Sequence, residues 1–208
     1  MQRAKKFIDQ VVEAQPEPIV LAKAVQRPAA ERPAIRKTAP KTDPVLSQDF
    51  IDYLKRVENR EKAGFKNGRW FPHSDPSGGY NVGYGHHIQS NAEYNQLLKT
   101  GLSDAQVMDL LTQDILDAKE KVDEYVKKRY GVRLYLEPKQ YQMLIDYIFN
   151  IGNLEGFPKM ADAVVRSNLA AMKKEYKRTG IVRGKRKELT ARNTEFANKF
   201  LAQSESIA

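Results

Sequence analysis

Two stretches decide the fold: residues 50–58, Phe50-Ile-Asp-Tyr-Leu-Lys-Arg-Val-Glu58, and residues 72–86, Pro72-His-Ser-Asp-Pro-Ser-Gly-Gly-Tyr-Asn-Val-Gly-Tyr-Gly-His86. In the first, Phe50, Leu54 and Val57 recur with Leu46 as one helical stripe, Ile51 lies beside it, and Ser47 stands where a cap belongs. The helix therefore closes at about Glu58 and carries that carboxyl at its end. In the second, Tyr80, Val82 and Tyr84 alternate with Asn81 and Gly83, the pattern of a half-buried strand. Between the two, Asn67-Gly68 separates Gly64-Phe-Lys66 from Arg69-Trp-Phe71. That pair suits a type I′ hairpin turn, whose two central residues both need positive φ. A short helix followed by a small antiparallel sheet is expected.

Downstream the periodicity turns helical. Ser103-Asp-Ala-Gln106 reads as a capping box, opening a long helix with Val107, Leu110, Leu111, Ile115, Ala118, Val122 and Val126 on its buried side and Gly131 at its stop. Glu137-Pro138 opens another helix, with Tyr141, Leu144, Ile145, Ile148 and Phe149 spaced mostly three or four apart and Gly152 ending it. One further helix is predicted from Lys159 to Tyr176. A last one is predicted across Lys185 to Ala202, where Leu189, Phe196, Phe200 and Leu201 fall at helical intervals. No internal repeat or heptad array appears. The fold class is α+β and predominantly helical.

Upstream, residues 1–44 hold Pro16, Pro18, Pro28, Pro33, Pro40 and Pro44 among Ala, Lys and Arg, a composition that disfavours a packed core. They read as a basic arm or linker, with a short helix possible over Ala4 to Ala14, ahead of a domain spanning 45–208. Among 208 residues, 35 Lys+Arg against 26 Asp+Glu give a net charge of +9, which favours an anionic partner. Candidates are cell-wall polymers, nucleic acid and acidic protein surfaces. No RNA-binding motif or zinc-finger spacing accompanies the charge, so nucleic acid is not the expected partner. Cysteine is absent, which excludes disulfides and thiolate chemistry. No membrane span and no ordinary secretory signal is visible.

The chemistry-bearing residues cluster in the two opening stretches. Cleaving a sugar acetal needs a proton for the leaving oxygen and stabilisation of an oxocarbenium-like centre, work given to two carboxyls flanking the bond. Glu58 and Asp75 are the candidate pair. An acid works near neutrality when partial burial raises its pKa, and an apolar helix end packed under a sheet offers that. Taken alone, Glu58 is an ordinary surface carboxylate and Asp75, in Asp-Pro, an ordinary turn residue. Asn81 could hold a water with its amide, or simply face outward from its strand. His86 is expected to orient Glu58. Trp70, Tyr80 and Tyr84 could stack on sugar rings or serve as core, and Asn150 could line the site. No HExxH pattern or carboxylate cluster accompanies His73, His86 and His87, so no metal is expected; neither is a cofactor, since GxSxG, P-loop and GxGxxG motifs are all missing.

Taken in order, Glu58, Asp75, Asn81, Tyr84-Gly-His86, Phe149-Asn-Ile-Gly152 with Gly156-Phe157, then Leu189, Arg192 and Glu195 resemble the phage-type lysozymes of glycoside hydrolase family 24, over about Val45 to Ala202. The resemblance implies a two-lobed lysozyme-like fold, with a small sheet lobe joined to a helical lobe by the helix starting near Ser103. It implies peptidoglycan as substrate and hydrolysis of the β-1,4 bond between N-acetylmuramic acid and N-acetylglucosamine. Glu58 would be the general acid, Asp75 would stabilise charge and position water, and Asn81 stands where the family has threonine. The spacing of 17 positions from Glu58 to Asp75 exceeds the usual one, so the Gly64 to Phe71 hairpin reads as an enlargement beside the cleft.

That enlargement, together with the basic arm, looks most like lysozyme domains of phage virion or tail proteins, with residues 1–44 binding phage structural proteins and the enzyme acting in the host wall or periplasm during entry. The alternatives are a free endolysin, held in the host cytoplasm before lysis, and a catalytically weak structural hub or adaptor on a lysozyme fold.

Overall fold

A computed structural model describes residues 43–75, 78–182 and 185–202. The arm up to Thr42 and the expected helix at Ala4 to Ala14 lie outside the described residues. Helix α1 (Gln48–Asn59) begins at Ser47, whose hydroxyl accepts a hydrogen bond from the Phe50 amide, and it buries Phe50, Tyr53 and Leu54. A hairpin follows, β1 (Phe65–Lys66) against β2 (Arg69–Trp70), with Asn67 at φ 51° and Gly68 at φ 72° as the turn requires. Strands β3 (His73–Ser74), β4 (Tyr80–Val82) and β5 (His86–His87) form a separate antiparallel sheet in which Asn81 pairs with both His73 and His87. The expected strand stops at Val82: Gly83 and Gly85 take φ of 65° and 97°, which puts Tyr84 in a turn.

A helix not anticipated from periodicity, α2 (Asn91–Thr100), is capped by Ser90. Helix α3 (Asp104–Tyr130) carries the capping box at Ser103 and Gln106 and ends at Gly131. Helix α4 (Pro138–Ile151) ends at Gly152. The single helix predicted from Lys159 to Tyr176 is two, α5 (Pro158–Val165) and α6 (Leu169–Glu175). Ser167 at φ 52° breaks the run and the Asn168 side chain caps the second helix. The segment read as helical from Lys185 starts as a strand: β7 (Lys185–Glu188) pairs with β6 (Thr179–Val182), and the Asn193 amide closes the hairpin base by bonding the Arg178 backbone N–H and C=O at 2.9 and 3.1 Å. Helix α7 (Thr190–Phe196) then runs into a π-helical turn at Ala197–Leu201. Lys185-Arg-Lys-Glu188 has no apolar side chain of its own to bury, so the helix starts only where the Phe196 and Phe200 stripe can reach the core.

Two apolar cores result. The small lobe is built around Trp70, with Val82, Ile88, Leu97 and Val107. The helical lobe is built from α1, the rest of α3, and α4 to α7, including Phe50, Leu54, Ile115, Leu144, Val164 and Phe196. One helix serves both, because Val107 belongs to the first core and Leu111, Ile115, Val122 and Val126 to the second. Among the described residues no helix is long and apolar enough to cross a membrane.

Candidate active site

Glu58 sits one residue from the end of α1, and the residue after it fixes its place. The Asn59 amide donates to the carbonyls of Gly83 at 2.7 Å and Ala63 at 3.1 Å, and its oxygen accepts from the Ala63 N–H at 2.7 Å. Those bonds pin the helix end to the glycine turn of the small lobe. Gly83 must be glycine there: a Cβ would lie 2.5 Å from the Val107 side chain. Gly85, on the same turn, brings its backbone close enough that a Cβ would lie 3.8 Å from Glu58 Oε2.

The Glu58 carboxyl is largely buried, and Oε1 lies 2.6 Å from Arg192 Nη1 in an ion pair whose alignment is not that of a hydrogen bond. Burial raises its pKa above the ordinary carboxylate value, while the Arg192 charge pulls in the opposite direction and Asp146 adds to the rise. Arg192 is divided: its Nη2 bonds Asp146 Oδ1 at 2.6 Å. Asp146 is fully buried and also accepts from Arg178 Nη1 at 2.7 Å and from the Tyr53 hydroxyl at 2.9 Å. Arg178, buried too, lies over the rings of Tyr147 and Phe196 at 4.4 and 5.0 Å.

The second carboxyl has a different setting. Asp75 lies on the turn between β3 and β4, its N–H bonded to the Gly79 carbonyl, and Asn81 Nδ2 donates to Asp75 Oδ2 at 2.6 Å. Asn81 Oδ1 is 3.2 Å from His87 Nδ1, so the amide is held from both sides. The Asn81 side chain thus keeps the carboxyl contact that a hydroxyl at that position could make. Tyr80 is exposed and packs against Tyr94 with ring centroids 4.3 Å apart, leaving an aromatic edge on the small lobe.

Two expectations need correction. Trp70 is no sugar platform: it is fully buried, packs between Phe65 and Tyr84 at 5.0 and 5.1 Å, and donates its Nε1–H to Asp104 at 2.6 Å. His86 orients no part of Glu58 by hydrogen bond; its Nδ1 lies 3.0 and 3.1 Å from the two oxygens of Asp114 on α3. That bond raises the His86 pKa, with burial opposing. Tyr84 packs against both cores rather than standing free.

One groove reaches Glu58 and another the glycine turn, and neither is lined by Asp75 or Asn81. One, of about 670 Å³, is lined by Glu58, Arg56, Arg60, Asn150, Thr190 and Arg192 among others, and so unites the candidate acid with Asn150. Arg56 and Arg60 on its wall both pair with Glu195, at 3.2 and 2.7 Å. The other, of about 380 Å³, lies between Gly85, His86, His87 and Gln89 on one side and Asp114, Asp117, Lys121 and Phe149 on the other. Sequence reading missed Asn59, Asp114, Asp146 and Arg178; the one available signal was Asp146, a lone carboxylate inside the apolar run Met143-Leu-Ile-Asp-Tyr-Ile-Phe149. Among the described residues no three His, Asp or Glu side chains converge as metal ligands would.

Two lobes with separate cores, joined by one long helix, make a lysozyme-like α+β fold. The family model for phage lysozyme matches residues 63–194, more than half of the chain, and the chain belongs to the phage lysozyme family. It is accordingly a peptidoglycan muramidase. Among solved structures it is similar to the muramidase domain of SpmX from Asticaccaulis excentricus, at 20% identity over 74% of this chain and 96% of that one, with a TM-score of 0.48. No curated protein is a significant match. The family match starts after α1, so the place of Glu58 rests on its ion pairs and the Asn59 bonds.

Proposed function

We propose that this lysozyme hydrolyses the β-1,4 bond between N-acetylmuramic acid and N-acetylglucosamine with Glu58 as general acid, Asp75 as the charge-stabilising and water-positioning carboxylate, and Asn81 as the residue that holds Asp75 and the water. The observation that carries this reading is the contrast in setting: Glu58 is buried beside a shared arginine, with its pKa raised, whereas Asp75 lies on a half-exposed turn. A proton donor needs the first environment and an ionised stabiliser the second. Asn150 lines the Glu58 groove and Tyr80 offers an exposed ring, and both are assigned to substrate contact. The test is Glu58→Gln on purified peptidoglycan: loss of about 10⁴-fold in rate is expected, and lysis at the wild-type rate would remove Glu58 from the mechanism.

The enzyme is further proposed to be carried in the phage particle and to open the wall locally during entry, with residues 1–44 as its tether to phage structural proteins. The basic, proline-rich composition of those residues supports this. Mass spectrometry of purified particles decides it: presence is expected, and absence would favour a free endolysin.

A further inference from the structure

Asp146 stands apart from the carboxyls assigned to chemistry. It is fully buried on the inner face of α4, yet three side chains from three other segments converge on it: Tyr53 of α1, Arg178 just before β6, and Arg192 of α7. A buried carboxylate with two guanidiniums costs much desolvation, and such a group is weak evidence for stability alone. Its arrangement has another consequence. Arg192 touches Asp146 through Nη2 and Glu58 through Nη1, both at 2.6 Å, so one guanidinium bridges two carboxyls. Arg178 competes from the far side, holding Asp146 Oδ2 while Arg192 holds Oδ1.

We infer that Asp146 is a positioning residue: it fixes the Arg192 guanidinium against Glu58 and withdraws part of its charge from that carboxyl, in a proportion set by Arg178. The inference rests on Glu58 being the acid. The charged groups around Glu58 are Arg56 on its own helix and Arg60 just after it, Arg192 and Glu195 on α7, Asp146 on α4 and Arg178; Gly85 of the small lobe brings backbone alone. Arg56 and Arg60 are engaged by Glu195. The balance at Glu58 is therefore decided by Arg192, Asp146 and Arg178.

The two neighbours should act with opposite signs. Asp146→Asn removes a negative charge and leaves Arg192 wholly to Glu58, which favours the ionised acid and moves the alkaline limb of the pH profile of kcat/KM to lower pH. Arg178→Met removes a positive charge and lets Asp146 hold Arg192 more fully, moving the same limb to higher pH. A displacement of roughly one pH unit in each direction is expected. Arg178→Met also keeps the packing of the aliphatic stem against Tyr147 and Phe196 and gives up side-chain bonds to Asp146 alone, so it tests the inference even where Asp146→Asn fails to fold. A purely structural role would lower kcat while leaving the limb in place, or move it the same way in both variants; either result overturns the inference. Glu58→Gln, measured alongside, separates the two levels. If it is inactive and the limbs of the other variants match the wild type, the positioning role alone fails; if it retains activity, the reading of Glu58 fails and this inference with it.

Discussion

The settings of the two candidate carboxyls are built on opposite plans. On the helical side, Glu58 is fixed by a buried network of Arg192, Asp146, Arg178 and Tyr53, in which each charge has a counter-charge from another segment. On the sheet side, Asp75 accepts a hydrogen bond from a neutral amide, Asn81, which is steadied in turn by His87 on a three-stranded sheet of two or three residues per strand. A buried network is rigid and raises the stakes for each member, since breaking one pair strands another charge. A short exposed sheet can adjust. The difference teaches that the two carboxyls are not interchangeable: burial raises the pKa of Glu58, whereas Asp75 sits on a half-exposed turn.

The largest effect that could break this comparison comes from the two carboxamide variants side by side. Glu58→Gln should cost about 10⁴-fold in peptidoglycan hydrolysis and abolish the alkaline limb of the pH profile, whereas Asp75→Asn should cost about 10²-fold and leave that limb where it is. Disappearance of the limb in Asp75→Asn would reverse the assignment. Next in size is Trp70→Ala, expected to lower stability by about 3–5 kcal/mol because the ring fills the centre of the small-lobe core. Thermal unfolding measures it, and an unchanged melting temperature would show that Trp70 is not the core residue described. Asn59→Ala should destabilise by about 2 kcal/mol and slow catalysis, since the Gly83 carbonyl and the Ala63 N–H lose their partner.

A smaller effect concerns His86 and Asp114. The pKa of His86 is raised in the fold, first by its bond to Asp114. The stabilisation is thus complete below the unfolded value of about 6.5 and is lost as pH rises through the higher folded value. The loss should be read as a melting temperature that falls over that window, and Asp114→Asn should flatten the dependence. The smallest effect is expected from Asn81→Thr, which retains a donor to Asp75 and should change the rate by no more than about threefold; a gain beyond tenfold would show that the amide limits this enzyme.

Features written in local chemistry were legible in the sequence. Ser47, Asn67-Gly68, the Ser103 and Gln106 box and Glu137-Pro138 each act within a few residues, and each marks the boundary it was read to mark. The failures share a cause. Strand β7 falls in the stretch expected to be helical because its pairing with β6 is anchored by Arg178 and Asn193, which meet 15 residues apart. The partner of His86 lies 28 residues away on α3, and Asp146 meets Tyr53 across 93 residues. Periodicity has no access to such pairs. Trp70 was ambiguous because an aromatic on a short strand has the same pattern whether it faces solvent or a core, and Leu102 and Asp104, which cover it, come from the start of another element.

The bond from Asn59 to the Gly83 carbonyl also bears on how the cleft would open. It joins the last residue of a helical-lobe element to the turn of the sheet lobe, beside the point where α3 passes from one core to the other at Val107 and Leu111. A rocking of the lobes would have its fulcrum there. Glu58, adjacent in sequence to Asn59, would hardly travel, while Asn81 and Gly79, two and four residues beyond Gly83 along the chain and therefore roughly 7 and 13 Å out, would sweep the larger arc. In such a lever Glu58, the acid proposed above, would be the stationary jaw, and the strand that holds Asp75 through Asn81 would be the moving one.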